Sequence, residues 1–397
     1  MSSGRPVSVG PPETPPEPSR SEVIPFNRPS VGALERRYVL EALEQAYLQG
    51  SGPFTDRCQR LLESDLGCAR ALLTPSGSHA LDMMALLLEV GPGDEVVVPA
   101  FTFVSTANAF LVRGARPVFA DVRPDTLNLD ERTFGSLLTR RTRAIVPVHY
   151  GGIACGMDAI LEVAGRAGVP VVEDNAHGLY GAYRGRPLGT FGPLAAQSFH
   201  ATKNLTAGEG GAVIVNDAAL AERAEIVWEK GTNRHRFLRG EIARYTWVDI
   251  GSSFLMSELQ AALLWAQLER RDELQAARGR IWRAYAERLA PWASRRGVAL
   301  PAVPTHCTPA WHLFYLLVPT ADRRDAFIES LAAAGIQAAS HYVPLHTSPM
   351  GRRLGYASGD CPVAEDVSAR LVRLPLFADL SEAGIDRVCQ AVMAAPL

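Results

Sequence analysis

The apolar positions of the chain follow two rhythms. Over residues 31–48 they fall on one face at Leu34, Tyr38, Ala42 and Ala46, the spacing of an amphipathic helix. Short apolar runs then recur at 69–73, 95–98, 117–120, 144–148, 170–172, 195–199 and 212–215. Several are apolar throughout rather than alternating, as strands covered on both faces are. Helix-length stretches at 79–90, 105–113, 130–138 and 157–167 lie between most of them. Strand, helix, strand in repetition predicts an α/β domain, a seven-stranded, mostly parallel sheet with helices on both faces.

The rhythm changes near residue 255. Residues 257–289 read as one or two long helices, with Leu259, Leu263, Ala266, Leu274, Ile281 and Tyr285 near helical spacing and Ser257 as N-cap. A connection carrying Pro301, Pro304 and Pro309 follows, then a strand at 311–318, a helix at 323–334, a strand near 337–341 and a last helix at 382–394. That succession predicts a smaller C-terminal α+β domain. At the other end Pro6, Pro11, Pro12, Pro15, Pro16 and Pro18 stand among Ser, Gly and Glu, too little apolar surface to offset ordering entropy. The expected organisation is a mobile tail over 1–23, a large domain over 24–255 and a small domain, with the long connecting helix, over 256–397.

Composition narrows the function classes. Of the 397 residues 47% are hydrophobic, and 40 Lys+Arg against 42 Asp+Glu leave a net charge of −2. Without a positive excess, nucleic acid is not an expected partner. The longest apolar stretch, 83–90, already contains Glu89, far short of the ~20 apolar residues a membrane span needs. The six cysteines form no C-x-x-C pair, and no H-E-x-x-H occurs, so reduced thiols and no metal site are expected. No basic segment followed by an apolar core opens the chain, which points to a cytoplasmic enzyme.

Ligands of parallel α/β sheets bind beyond the carboxyl ends of the strands, and four stretches there carry chemistry. At Ser76-Gly77-Ser78-His79 a strand meets a helix start, whose free N–H groups suit a phosphate; a plain capped helix is the other reading. At Phe101-Thr102-Phe103 two aromatics sit on a strand-to-helix turn, either core or stacking platform. The strand 170–172 ends in Glu173-Asp174, helix caps or an anion held against a buried cation. Lys203 follows the strand 195–199 ahead of Gly208 and Gly210; it is either a surface lysine or a desolvated nucleophile. Together the four supply a phosphate cup, a stacking ring, an acid for a ring nitrogen and an amine, the set that pyridoxal 5′-phosphate requires.

In order and spacing these stretches resemble the DegT/DnrJ/EryC1/StrS sugar aminotransferases, of fold type I, from about Ile24 to the end of the chain. More narrowly, 101–110, 146–150, 229–234, 249–253 and 341–346 are similar to stretches of the dTDP-4-amino-4,6-dideoxygalactose transaminases. The resemblance implies that Lys203 anchors the cofactor covalently, that Asp174 pairs with the pyridinium nitrogen and that Gly77, Ser78 and Ser198 hold the phosphate. It also implies that Phe103 stacks on the ring and that His177 lies near the ring hydroxyl. Arg234, Tyr342 and His346 are further substrate-binding candidates.

The chain departs from the family at Ser253, where many relatives carry an Asn that reaches the neighbouring subunit's phosphate, and at Asn175, where Ala is usual. The implied reaction takes an amino group from glutamate, leaving 2-oxoglutarate and pyridoxamine 5′-phosphate. It then passes the group to the 4-keto carbon of a dTDP-4-keto-6-deoxyhexose. A sugar 3-aminotransferase, another family member or a non-catalytic regulator are the alternatives. The resemblance further implies a homodimer. The stretch 228–250, with Lys230, Arg234, His235, Arg236, Arg239 and Arg244 among Trp228, Phe237, Tyr245 and Trp247, reads as its interface loop or as a solvated basic loop.

Overall fold

A computed structural model describes residues 23–397; residues 1–22 of the tail expected over 1–23 lie outside them. Seven strands form the central sheet: β1 (Arg70–Thr74), β2 (Glu95–Pro99), β3 (Arg116–Ala120), β4 (Thr142–Ile145), β5 (Glu173–Asp174), β6 (Leu194–Ser198) and β7 (Gly211–Val215). Strand β7 pairs antiparallel with β1 and β6. Strand β5 runs parallel to β6, and the bridges Ile145↔Val171 and Val148↔Asp174 tie it to β4. Strand β2 lies parallel between β4 and β3. The order is therefore β1-β7-β6-β5-β4-β2-β3, parallel except for β7, the doubly covered α/β sheet that the apolar runs predict.

The helices Gly77–Leu87, Val104–Leu111 and Met157–Ala167 cover this sheet and bury Met83, Met84, Phe110 and Ile160. A further helix, Pro53–Leu66, lies outside the predicted pattern. Its start is fixed from a distance: the Glu258 carboxylate accepts the N–H groups of Gly52, Phe54 and Thr55 at 3.1, 2.8 and 3.0 Å. An anion there satisfies free N–H groups and opposes the helix dipole.

The C-terminal part packs Trp282, Tyr285, Phe314, Phe327, Val372 and Ile385 into a second core, which Ile24 joins. Ser257 caps the helix Glu258–Glu269 with a full capping box, and Arg271–Arg296 continues it. Two expectations are corrected here. Residues 130–138 form only a 3₁₀ turn, Phe134–Leu137, because the small, flexible Gly135 and Ser136 in its middle disfavour an α-helix. No strand forms over 337–341. Ala339 makes a single bridge to Arg373 within the strand Leu371–Leu374, which pairs instead with Phe314–Leu317. Gln337, Ala338 and Ala339 offer little of the β-branched bulk that a pleated surface favours. Among the described residues no helix is long and apolar enough to cross a membrane.

Candidate active site

A cavity of about 620 Å³ opens at the carboxyl ends of β5 and β6, closed on its far side by the C-terminal part. Its lining brings together Gly77, Ser78, Phe103, Asp174, His177, Ser198, Lys203 and Tyr342, from elements far apart in the chain.

One end is a polar cup. Ser76 caps the helix Gly77–Leu87, its hydroxyl accepting the His79 N–H at 3.2 Å. Ser78 Oγ lies 2.6 Å from Ser105 Oγ. Gly77 is required by close approach: a Cβ there would stand 2.9 Å from Ser198 Cβ. Gly211, at the start of β7, is equally constrained, since its Cβ would fall 2.5 Å from Gly77 N. The helix start is thus pressed onto the ends of β6 and β7, with free N–H groups and hydroxyls facing one small volume.

The two acids ending β5 have opposite environments. Glu173 is wholly buried and accepts the N–H groups of Gly189, Phe191 and Gly192 at 2.8, 2.6 and 3.0 Å. It also faces His149 Nε2 at 2.9 Å, while His149 Nδ1 accepts the Cys155 N–H, so the Nε2 proton belongs to the Glu173 contact. Glu173 is a structural carboxylate with its lone pairs occupied. Asp174, one residue on and on the opposite face of the strand, lines the cavity. Its Oδ2 accepts the Thr106 hydroxyl at 2.7 Å and its Oδ1 the Ala176 N–H at 3.1 Å. Thr106 lies 2.9 Å from Thr102 in turn. Next along, Asn175 donates to the Leu188 carbonyl at 2.9 Å. It fills the space over Gly178 and Gly189, where a Cβ would meet its amide at 2.0 and 2.7 Å. Asn175 therefore packs the loop behind the cavity rather than facing into it.

Lys203 stands on a loop that extends the β6–β7 pairing. Phe199 N–H reaches Gly210 O, Ala207 N–H reaches Phe199 O and Ala201 N–H reaches Gly208 O, at 2.7–2.8 Å. Gly208, at φ +80°, makes the bend that brings the lysine back over the strand ends. Among the described residues the Lys203 amine makes no ion pair or hydrogen bond. Burial lowers its pKa to about 8, against the opposing pull of Asp174, and the Arg373 charge adds to the lowering.

A further wall of the cavity is built of rings, the predicted His177, Phe103 and Tyr342 together with His312 and His341, which sequence reasoning did not assign. His177 stacks on His312, with centroids 4.1 Å apart, and lies near-parallel to His341 at 6.3 Å. Its Nδ1 accepts the Gly151 N–H at 3.3 Å, leaving Nε2 to carry the proton of the neutral ring. Burial, then the Lys203 charge, holds the His177 pKa well below the ordinary histidine range, and His312 and His341 are lowered likewise by burial. Tyr342 meets Phe101 and Phe103 at 5.6 and 6.2 Å, and burial raises its phenol. His312, His341, Arg373 and Thr106 come from separate strands, turns and helices. No local pattern in the sequence joins them.

Three candidates stand away from this cavity. His346 is wholly buried and bonds Glu365 at 2.9 Å. That carboxylate, held down to about 2 first by His346, also takes Ser358 and the Gly359 N–H. His346 thus anchors a loop and is not open to a substrate. Arg234 opens the short helix Arg234–Leu238 and lies 3.4 Å from Glu229. Ser253 is exposed and bridged to Glu229; neither lines its own chain's cavity. Within the same stretch Trp228 is core, its indole N–H donating to Leu73 O at 2.7 Å, which corrects its reading as an interface anchor.

Residues 29–393 match the model of the DegT/DnrJ/EryC1/StrS aminotransferase family. The chain is 35% identical over 389 residues to the spore coat polysaccharide biosynthesis protein SpsC of Bacillus subtilis, covering 94% of this chain and 97% of that protein. It is 36% identical over 369 residues to the GDP-perosamine synthase of Caulobacter vibrioides, covering 92% and 96%. The PMP form of Spr1654 from Streptococcus pneumoniae superimposes with a TM-score of 0.87 at 27% identity, covering 94% and 97%, and the PLP form of that protein with 0.86. The cavity fits such a cofactor: a cup of hydroxyls and N–H groups closed at Gly77 by Ser198, a carboxylate oriented by Thr106, and an unpaired amine.

Proposed function

Because the chain belongs to the DegT/DnrJ/EryC1/StrS aminotransferase family and works with pyridoxal 5′-phosphate, we propose that it moves an amino group from glutamate to the 4-keto carbon of a dTDP-linked 4-keto-6-deoxyhexose. The observation that carries amino transfer is the Lys203 amine, unpaired and lowered to about 8, in one cavity with Asp174. The sugar reading rests on the stretches 101–110, 146–150, 229–234, 249–253 and 341–346. The names of the polysaccharide and GDP-perosamine relatives agree with a nucleotide-linked sugar at a coarser level.

Pyridoxal 5′-phosphate, when bound, supplies an aldehyde to carry the amino group and a ring to accept electrons. The chain's own groups do the rest. Gly77, Ser78 and Ser198 would hold the phosphate, and Phe103 would cover the ring. Asp174, held by Thr106, keeps a proton on the ring nitrogen, which a neutral residue there could not do. With a pKa of about 8, roughly half of the Lys203 amine is neutral at pH 8, against well under about 1% for an ordinary lysine. Lys203 Nζ takes the proton from the donor's α-carbon and later delivers one to sugar C4, and its fixed position selects the face. His177, held neutral by burial, would offer its Nε2 proton to the cofactor's ring hydroxyl.

The active unit in this reading is a homodimer. Trp247 is 77% exposed, with Tyr245, Val248 and Ile250 exposed beside it, an apolar surface next to Ser253 and Arg234. Both residues then serve the other subunit's site. The test of the reading is to incubate the holoenzyme with glutamate and a panel of dTDP- and GDP-linked 3- and 4-ketosugars, and to assign products by NMR. A 4-amino-4,6-dideoxy product on dTDP supports it. Amination at C3, or on GDP-sugars alone, replaces it with that alternative.

A further inference from the structure

His312 reaches the cavity from a turn that is held on two sides. Trp311, just before it, sits at φ +56°, a left-handed conformation that a bulky residue adopts only under constraint. From the helix Arg271–Arg296, the buried Arg278 donates Nε to the Trp311 carbonyl at 3.1 Å and Nη2 to the His312 carbonyl. From the lysine loop, Asn204 donates its amide to the Ala310 carbonyl and, at 2.9 Å, to Gln275 Oε1. Gln275 is oriented in turn, its Nε2 donating to the Leu179 carbonyl at 3.3 Å. These two acceptors decide which way the Asn204 amide points, so Oδ1 is the atom that faces His312 Nδ1 at 2.9 Å. The proton of the neutral His312 ring therefore sits on Nδ1. Nε2 keeps a lone pair and has no hydrogen-bond partner among the described residues, in a side chain that is only 8% exposed and lines the cavity.

The adjoining ring holds the opposite tautomer. His177, stacked at 4.1 Å, accepts the Gly151 N–H on Nδ1, so the two rings present one donor and one acceptor. Burial, then the charges of Lys203 and Arg278, hold the His312 pKa well below the ordinary histidine range. A buried acceptor left unpaired is costly. A lone pair repels carboxylates, which only accept, and suits a hydroxyl, which donates. We infer that His312 Nε2 accepts a hydrogen bond from a hydroxyl of the keto sugar, and that Asn204 is the positioning residue that keeps this lone pair in place. The assignment rests on the keto-sugar reading above. Asn204 follows Lys203 directly, so the loop that aims the amine also aims the group that orients the sugar against it.

The test has two arms. Long-range ¹H–¹⁵N correlation NMR of the ¹⁵N-histidine-labelled, pyridoxal-phosphate-loaded enzyme reads the tautomer, with the His312 signals identified by their loss in His312→Phe or His312→Gln. They should show the Nδ1–H form in wild type, and Asn204→Leu should lose it. In the second arm the pyridoxamine-phosphate-loaded enzyme is given the dTDP-linked 4-keto-6-deoxyhexose and its 2-deoxy and 3-deoxy counterparts in single turnovers. Wild type should prefer the parent sugar over one of the two by at least about tenfold. His312→Phe should lose that preference, and Asn204→Leu should lose it together with the tautomer; the Leu variant carries the test if the Phe variant does not fold. An Nε2–H form in wild type, equal turnover of all three sugars, or a preference that survives both substitutions overturns the assignment. A wild type with the Nδ1–H form that aminates none of the sugars overturns the keto-sugar reading itself, and the hydroxyl assignment with it.

Discussion

Thr106 Oγ1 donates a 2.7 Å hydrogen bond to Asp174 Oδ2, from a helix start 68 residues earlier in the chain. Both side chains are buried, so the carboxylate that faces the cavity owes its orientation to a hydroxyl from another layer of the fold.

Thr106→Val keeps the shape and removes that donor. A hydrogen bond to a charged group is worth ~1.5–3 kcal/mol, so turnover should fall roughly tenfold or more, with the absorbance of the bound cofactor shifted. Thr106→Ser should restore both. Wild-type spectra and rates in the Val variant would show that Asp174 needs no such partner.

Glu173 and Asp174 adjoin in sequence and should respond oppositely. Asp174→Asn leaves packing intact, so thermal stability should hold while turnover with glutamate falls by orders of magnitude. Glu173→Gln places an NH₂ among the three N–H donors of Gly189, Phe191 and Gly192. A broken buried network costs about 3–5 kcal/mol, so the midpoint of thermal unfolding should drop clearly. Differential scanning calorimetry beside steady-state assays distinguishes the two; a stable Glu173→Gln protein would show that those bonds contribute little.

How much of this was legible in the sequence depends on the range of each interaction. The sheet was, because seven buried runs need no partner to be recognised. The stretches at Ser76, Phe103, Asp174 and Lys203 were, because each couples a strand end to a turn within a few residues. The helix Pro53–Leu66 was not read, although Gly52, Pro53 and the left-handed Gly67 punctuate it, because its anchor, Glu258, is 204 positions from Phe54. His346 shows the converse. The resemblance makes it a substrate-binding candidate, but only the fold reveals Glu365 closing it off. Arg373 and His312 are single polar residues in apolar surroundings, and nothing local distinguishes a cavity wall from a surface.

The lowered Lys203 pKa gives a pH profile for loading. Only the neutral amine attacks the aldehyde of pyridoxal 5′-phosphate, and neutral amine appears as pH rises through about 8. Trapping by the apoprotein should therefore accelerate about tenfold per unit below pH 8 and level off above it. Stopped-flow absorbance over pH 6–10, with borohydride reduction and peptide mapping at the end, reports both rate and residue. A rate still climbing steadily above pH 9 would mean an ordinary lysine, and an adduct on another residue would displace Lys203 altogether.

Assembly supplies the last expectation. The basic residues of 228–250 are largely satisfied within the chain: Arg239 pairs with Glu225 and Glu241, and Arg236 with Glu241 and Glu222. Beside these exposed charged residues the stretch also turns Tyr245, Trp247, Val248 and Ile250 outward. A two-fold interface would bury the same patch twice and carry Ser253 and Arg234 toward the opposite cavity. Lys203→Ala alone should abolish turnover, and so should substitution of Arg234 and Ser253 together by Ala. Mixed after partial unfolding and reassembly, the two variants should regain up to about a quarter of wild-type activity in a statistical mixture, since half of the dimers are mixed and each carries one intact site of two. Verified mixed dimers with no recovery, or a fully active monomer in analytical ultracentrifugation, would place Ser253 and Arg234 outside the catalytic unit.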